Sequence, residues 1–154
     1  MFMTMEKKAD FKVYAKNYDI YRTADFELLE TAIDSLKIDT SMRVLDFGCG
    51  TGNYLKAFQM KGYNNLFGLD QSEEMCKIAS EKSTAIIKKG SHVNVPYEDD
   101  YFDAIIVIDV VHFITDINFL FNSLWRICKN NGRVFIATQS HTQLETRIYS
   151  KYFP

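Results

Sequence analysis

The chain has 154 residues, one domain's length and enough to bury a core, and its 47% apolar and 25% charged composition is that of a soluble globular protein. A net charge of −2 and the lack of any long Lys/Arg run exclude a phosphate-backbone track, so no nucleic-acid partner is expected, though a small RNA-bound substrate stays open. Three widely spaced cysteines, a start without a secretory pattern and a longest apolar run of only Ala104–Ile108 point to a cytoplasmic chain with no metal site and no membrane segment.

Taken in order, helix and strand signals alternate. Leu28, Leu29, Ala32, Ile33 and Leu36 form a helical stripe between Asp25 and Leu36, with Thr23 expected as its N-cap. A short strand, Arg43–Phe47, runs into glycines; a helix from Asn53 to Met60 and a second strand, Leu66–Asp70, follow. Ser72 is expected to cap a helix reaching about Lys82, with Glu73 and Glu74 in the first turn, where the dipole favours negative charge. Ala85–Ile87 reads as a third strand, and the connection Gly90–Tyr101 carries little helix signal. Phe102–Asp109, apolar on both faces, suits a central parallel strand covered on both sides. In the helix predicted over Asp116–Lys129, Ile117, Leu120, Phe121 and Leu124, with Trp125 beside them, are assigned to the core, and Asn131-Gly132 to its left-handed stop. Arg133–Ala137 is a fifth strand, and a last helix is expected from Thr142 to about Tyr152. This order implies a doubly wound, mostly parallel α/β sheet of about five strands with helices on both faces, in one domain over residues 1–154.

Asp46-Phe47-Gly48-Cys49-Gly50-Thr51-Gly52 joins a strand to a helix. Glycines there let backbone approach a ligand closely, and the helix start offers N–H groups and a positive dipole end. A nicotinamide fingerprint needs G-x-G-x-x-G, but the spacing here is G-x-G-x-G with Asn53 at the sixth position. That counts against a nicotinamide-dependent oxidoreductase. Asp70, at the end of the second strand, is placed to accept hydrogen bonds from both hydroxyls of a ribose. No lysine occurs at positions 46–53, so the loop suits an adenosyl ligand without phosphate.

Val44–Gly52, Gly68–Met75, Gly90–Asp103 and Leu124–Thr138 resemble, in series, the signature segments of class I (Rossmann-like) S-adenosylmethionine-dependent methyltransferases, and the likeness spans Tyr14 to Thr138. The resemblance implies S-adenosylmethionine as cofactor and methyl transfer to a small-molecule acceptor. It further implies that Asp46 organises the methionine end, that Gly48, Cys49 and Gly50 present backbone or fill space beside it, and that Asp70 holds the ribose. Gln71 and Met75 would then lie by the adenine. In the third segment Ser91 stands where the family has an acid to accept from the adenine amino group, a weaker neutral acceptor, with His92 beside it. Tyr14–Arg22 resembles the family's cofactor-covering segment, so Tyr14 is expected by the sulfonium and Arg22 by the methionine carboxylate, unless surface packing explains them.

Asp109 and His112 follow the fourth strand, where ligands sit in open α/β sheets, and are the catalytic candidates; Asp109 is also carried as a cofactor contact. Structural roles stay open for both, a loop-pinning carboxylate and a satisfied histidine. Relatives of this type continue for two further strands, so the chain is expected to be truncated after its fifth. The open edge of Val134-Phe135-Ile136 then predicts a homodimer or a partner chain. An inactive cofactor-binding module acting through such a partner is the alternative to an enzyme.

Overall fold

A computed structural model of the chain describes residues 18–140. The expected helix over 142–152, and Tyr14, lie outside them. Five strands, β1 (Val44–Phe47), β2 (Leu66–Asp70), β3 (Ile86–Lys89), β4 (Phe102–Ile108) and β5 (Cys128–Ala137), form one all-parallel sheet in the order β3-β2-β1-β4-β5. The helices are α1 (Tyr18–Tyr21), α2 (Phe26–Leu36), α3 (Asn53–Met60), α4 (Glu73–Lys82) and α5 (Ile117–Ile127), with a single 3-10 turn at Val111–Phe113. This is the doubly wound arrangement expected. Strand order reverses between β1 and β4, which opens a crevice beyond their carboxyl ends.

Alternation along the central strands builds two cores. Val44, Leu66, Ala104, Ile106 and Ile108 face Leu29, Ala32, Ile33 and Leu36 of α2, Leu55 and Phe58 of α3, and Ala79 of α4. Leu45, Phe47, Phe67, Leu69, Ile105 and Val107 face Leu120, Leu124 and Ile127 of α5. The helix-poor connection between β3 and β4 fills the rest of this second face with side chains. Tyr97 packs edge-on against Phe67 and Phe102, and its hydroxyl donates to the Gly68 carbonyl at 3.0 Å. Arg126 ties that connection to α5 by donating to the Tyr97 and Val95 carbonyls and to Asp99.

Three sequence assignments are corrected. Asp25, not Thr23, caps α2: the helix begins at Phe26, and the Asp25 carboxylate accepts from the Leu28 amide at 3.0 Å, whereas Thr23 lies too far upstream. Ser72 does cap α4, accepting from the Met75 amide. Asn131-Gly132 is no helix stop. The helix ends at Ile127, and residues 128–133 form an irregularity of β5 in which Cys128 pairs with Phe102 and Arg133 with Ala104. Gly132 is needed there for space: a Cβ would sit 2.6 Å from the Cys128 sulfur and 2.9 Å from the Phe102 carbonyl.

The third correction concerns α5. Leu120, Leu124 and Ile127 are buried, but Ile117, Phe121 and Trp125 are 39%, 50% and 85% exposed. At about 100° per residue these three lie roughly 50°, 90° and 130° from the centre of the buried arc, and exposure rises in that order. A single sheet face covers only a narrow arc of a helix, so the wider apolar band overshoots it. At the sheet margin, no strand among the described residues pairs with the outer edge of β5, where Val134 and Ile136 are partly exposed. Likewise among the described residues, no helix is long and apolar enough to cross a membrane, and no group of three or more His, Cys, Asp or Glu side chains is placed to hold a metal.

Candidate functional site

The loop after β1 is held open by its own backbone. Gly48, Gly50 and Gly52 have φ of +82°, +52° and +80°. At Gly48 a Cβ would lie 2.3 Å from a Val110 methyl, so both conformation and space require glycine there. The amides of Gly48 and Cys49 both donate to the Leu69 carbonyl, at 2.7 and 2.9 Å, and that of Gly52 donates to the Cys49 carbonyl. The Gly50 amide donates to Asp70 at 2.9 Å. The loop thus clasps β2 and keeps few donors for a ligand. At the start of α3, by contrast, the Gly52 cap makes no side-chain hydrogen bond to the first amides, as expected of a helix start that keeps donors of its own.

Two adjoining lobes lie beyond the strand ends. The larger, about 800 Å³ with its solvent mouth, is lined among others by Asp70, Gln71, Met75, Ser91 and His92, and by Phe113 and Ile114 toward the opening. The smaller, about 480 Å³, is bounded by Arg22, Asp46, Cys49 and Tyr54. Tyr18, Gly48, Gly50 and Asp109 line both. Ten of the sequence-predicted cofactor residues with described positions, from Asp46 and Asp70 to Ser91 and His92, therefore converge on one cleft together with Arg22.

Its electrostatics are dominated by acids. Asp46 is 3% exposed, and its Oδ2 has no hydrogen-bond partner among the described residues. Burial, reinforced by the charge of Asp70, pushes its carboxyl up to about 7. Asp70 is raised by burial as well, against the amides of Ser72, Gly50 and Gln71 that favour its ionised form. Cys49 is an inert thiol, driven well up by burial and then by the charges of Asp46 and Asp70.

Asp109 sits at φ +55°, with its amide donating to the Ala137 carbonyl at 2.8 Å. Its carboxylate accepts from Arg22 at 2.8 Å and from Gln139 at 3.1 Å. Arg22, expected by a ligand carboxylate, is thus paired with Asp109 at the cleft wall. His112 is not part of the cleft lining: its ring contacts Phe113, and its Nδ1 is 3.2 Å from the Thr138 hydroxyl. Sequence reasoning passed over Tyr18, which reaches both lobes where Tyr14 had been expected to act. Tyr14 and Tyr18 are four residues apart in the sequence, and the local pattern gives no reason to prefer one over the other. Lys82 was also missed. It reaches the loop from α4 but donates to Asp19, Thr51 and Asn53 and lines neither lobe.

A doubly wound sheet with its cleft at the switch point, a glycine loop without a lysine and a buried acid with an oxygen unpartnered among the described residues define a class: adenosyl-type ligand binders of Rossmann-like architecture. The pattern of the methyltransferase domain family matches residues 45–136, and the chain belongs to that family, the S-adenosylmethionine-dependent methyltransferases. It is 30% identical to the tRNA (carboxymethyluridine(34)-5-O)-methyltransferase of Arabidopsis thaliana, over 97% of this chain and 37% of the plant protein. It is also 30% identical to a ubiquinone/menaquinone biosynthesis C-methyltransferase of Proteus mirabilis, over 78% of this chain and 52% of that protein. A solved S-adenosyl-L-methionine-dependent methyltransferase of Methanococcus maripaludis shares 26% identity and superposes with a TM-score of 0.78, covering 96% of this chain and 78% of its own. The chain spans only about a third to a half of the two curated relatives.

Proposed function

We propose that the cleft binds S-adenosylmethionine and that the chain transfers its methyl group to a small-molecule acceptor. The observation that carries this reading is Asp46: a buried acid with an oxygen unpartnered among the described residues, beside a loop most of whose amides are already used, suits a ligand that brings donors and positive charge rather than phosphate. When bound, the cofactor supplies a methyl group on a cationic, electrophilic sulfur. Asp46, Tyr18 and Arg22 would face its methionine end, Asp70 its ribose, and Gln71, Met75, Ser91 and His92 its adenine. Asp109, held by Arg22 and Gln139, would position the cleft wall rather than carry a proton. Alignment of acceptor and methyl group supplies much of the rate in such a transfer. The apolar mouth at Phe113 and Ile114 and the lack of a basic track favour a small acceptor over RNA. Calorimetric titration should show binding of S-adenosylhomocysteine and none of NAD; binding of NAD alone would overturn the reading. A methyl-release assay over small acceptors and tRNA then separates the acceptor classes and separates an enzyme from a binding module.

Two further expectations belong to this reading. Replacing Ser91→Asp supplies a charged acceptor at the adenine end and should tighten S-adenosylhomocysteine by about three- to tenfold, a gain of roughly 1 kcal/mol. Unchanged or weaker binding by calorimetry counts against Ser91 in that position. The edge of β5, unpaired among the described residues and with Val134 and Ile136 partly exposed, favours a homodimer. Light scattering at micromolar concentration should give twice the chain mass, and a monomeric mass removes the proposal.

A further inference from the structure

We propose that Asp19, Thr51, Asn53 and Lys82 form a clasp beside the smaller lobe, whose wall includes Thr51 and Asn53, that holds α1 against the glycine loop and thereby sets how long the cofactor stays bound. This rests on the cofactor reading above. Within the described residues α1 is the single turn Tyr18–Tyr21, and one turn gains little stability from its own hydrogen bonds. Yet it carries Tyr18 into both lobes, with the ring 3.9–4.0 Å from where a Gly50 Cβ would lie, and it leads directly to Arg22. Something must anchor it, and the next residue does. Asp19 accepts from the Thr51 hydroxyl at 2.6 Å, the Asn53 amide at 3.0 Å and the Lys82 ammonium at 2.6 Å.

Each remaining valence in the cluster is turned to the same end. The Asn53 amide also donates to the Arg22 carbonyl at 2.6 Å, fastening the exit from α1, while its oxygen accepts from Lys82 at 2.7 Å. Lys82 donates in addition to Thr51 at 3.1 Å. Three separate pieces of chain are joined: α1, the glycine loop with the first residue of α3, and the last residue of α4. An isolated surface ion pair is weak, but a shared network in which one cation meets three acceptors and one carboxylate three donors is stronger. Burial would raise Asp19, but its bonds from Lys82, Thr51 and Asn53 outweigh that and hold it below the ordinary carboxylate range. The cluster also explains the sixth position of the loop motif. A glycine at 53 has no side chain with which to close the clasp.

Hydrogen exchange and stopped-flow binding test this on the full chain. Lys82→Met and Asp19→Asn should speed amide exchange at residues 18–22 without changing exchange in β1 and β4. Each should weaken S-adenosylhomocysteine about tenfold, through faster dissociation at unchanged association, and the double variant should lose little more than either alone. Lys61→Met, which breaks a comparable exposed pair with Glu30 away from the cleft, serves as the control and should change neither. Unchanged exchange at 18–22 refutes the anchoring, and local exchange that rises with an unchanged dissociation rate refutes its role in retention. If the unaltered chain fails to bind S-adenosylhomocysteine, the cofactor reading falls and takes the retention role with it, while the exchange measurement alone decides the anchoring.

Discussion

Asp46→Asn should leave the ligand-free protein more stable than the unaltered chain at pH 8 and no more stable than it at pH 5, while weakening S-adenosylhomocysteine by about a hundredfold, the loss of a buried charge-assisted contact of roughly 2–3 kcal/mol. The sign follows from the direction of the shift. The carboxyl is raised to about 7 in the folded chain, above its ordinary value. At low pH both folded and unfolded chains hold the proton, and Asp46 contributes nothing. Between about pH 4 and 7 the unfolded chain releases a proton that the folded chain keeps, so stability falls as pH rises. Above 7 the cost is complete, at most on the order of 4 kcal/mol. Asparagine removes the charge but buries an amide that needs partners, so a net gain of about 1–2 kcal/mol is expected at pH 8. Urea unfolding at the two pH values measures it. A wild-type chain whose stability does not fall relative to the variant between pH 5 and 8 would show that Asp46 is not the strained acid inferred here.

Gly48→Ala should be the most damaging single methyl group that can be added to the site. Two costs combine. A φ of +82° strains any L-residue, and the new methyl meets Val110 at 2.3 Å, where one branch of the side chain has to move. Together these cost about 2–4 kcal/mol of stability and displace the backbone that would contact the ligand. Val110→Ala in the same chain relieves the steric part, so the double variant should recover roughly half of the lost stability. It should not recover ligand affinity, because the strain in the loop remains. Thermal unfolding and calorimetry distinguish these outcomes, and full recovery of both by Val110→Ala would place the whole effect in the clash.

The two variants probe opposite aspects of one site. On the proposed reading, Asp46 would make the empty cleft less stable so that a cationic ligand is favoured, whereas Gly48 would let the backbone come close enough to use it. Asp109 illustrates the tension between structure and chemistry. At the end of an apolar strand it reads equally as a catalyst or as a pin, and the bonds from Arg22 and Gln139 align it with the second.

Period and punctuation carried most of the fold. The doubly apolar run of β4, the strand–glycine–helix junction at 44–53 and the Ser72 cap depend on residues close in sequence, and local sterics and hydrogen bonding settle such features. The convergence of Asp46, Asp70 and Ser91 was legible for a related reason: in a parallel sheet every strand ends on the same side, so residues at strand ends meet without any long-range information. Tertiary structure decided what pattern cannot express. The exposure of Trp125 depends on how wide an arc of α5 the sheet covers, and apolarity alone cannot report that width. Whether the loop's amides were free for a ligand or used by Leu69 and Asp70 depended on how β2 lies beside β1. The partnership of Asp19 with Lys82 links residues far apart along the chain, each ordinary in its own neighbourhood. Local patterns fix where the chain turns and which face is apolar; only the packed fold decides which polar atoms already have partners, and so what the cleft is left to bind.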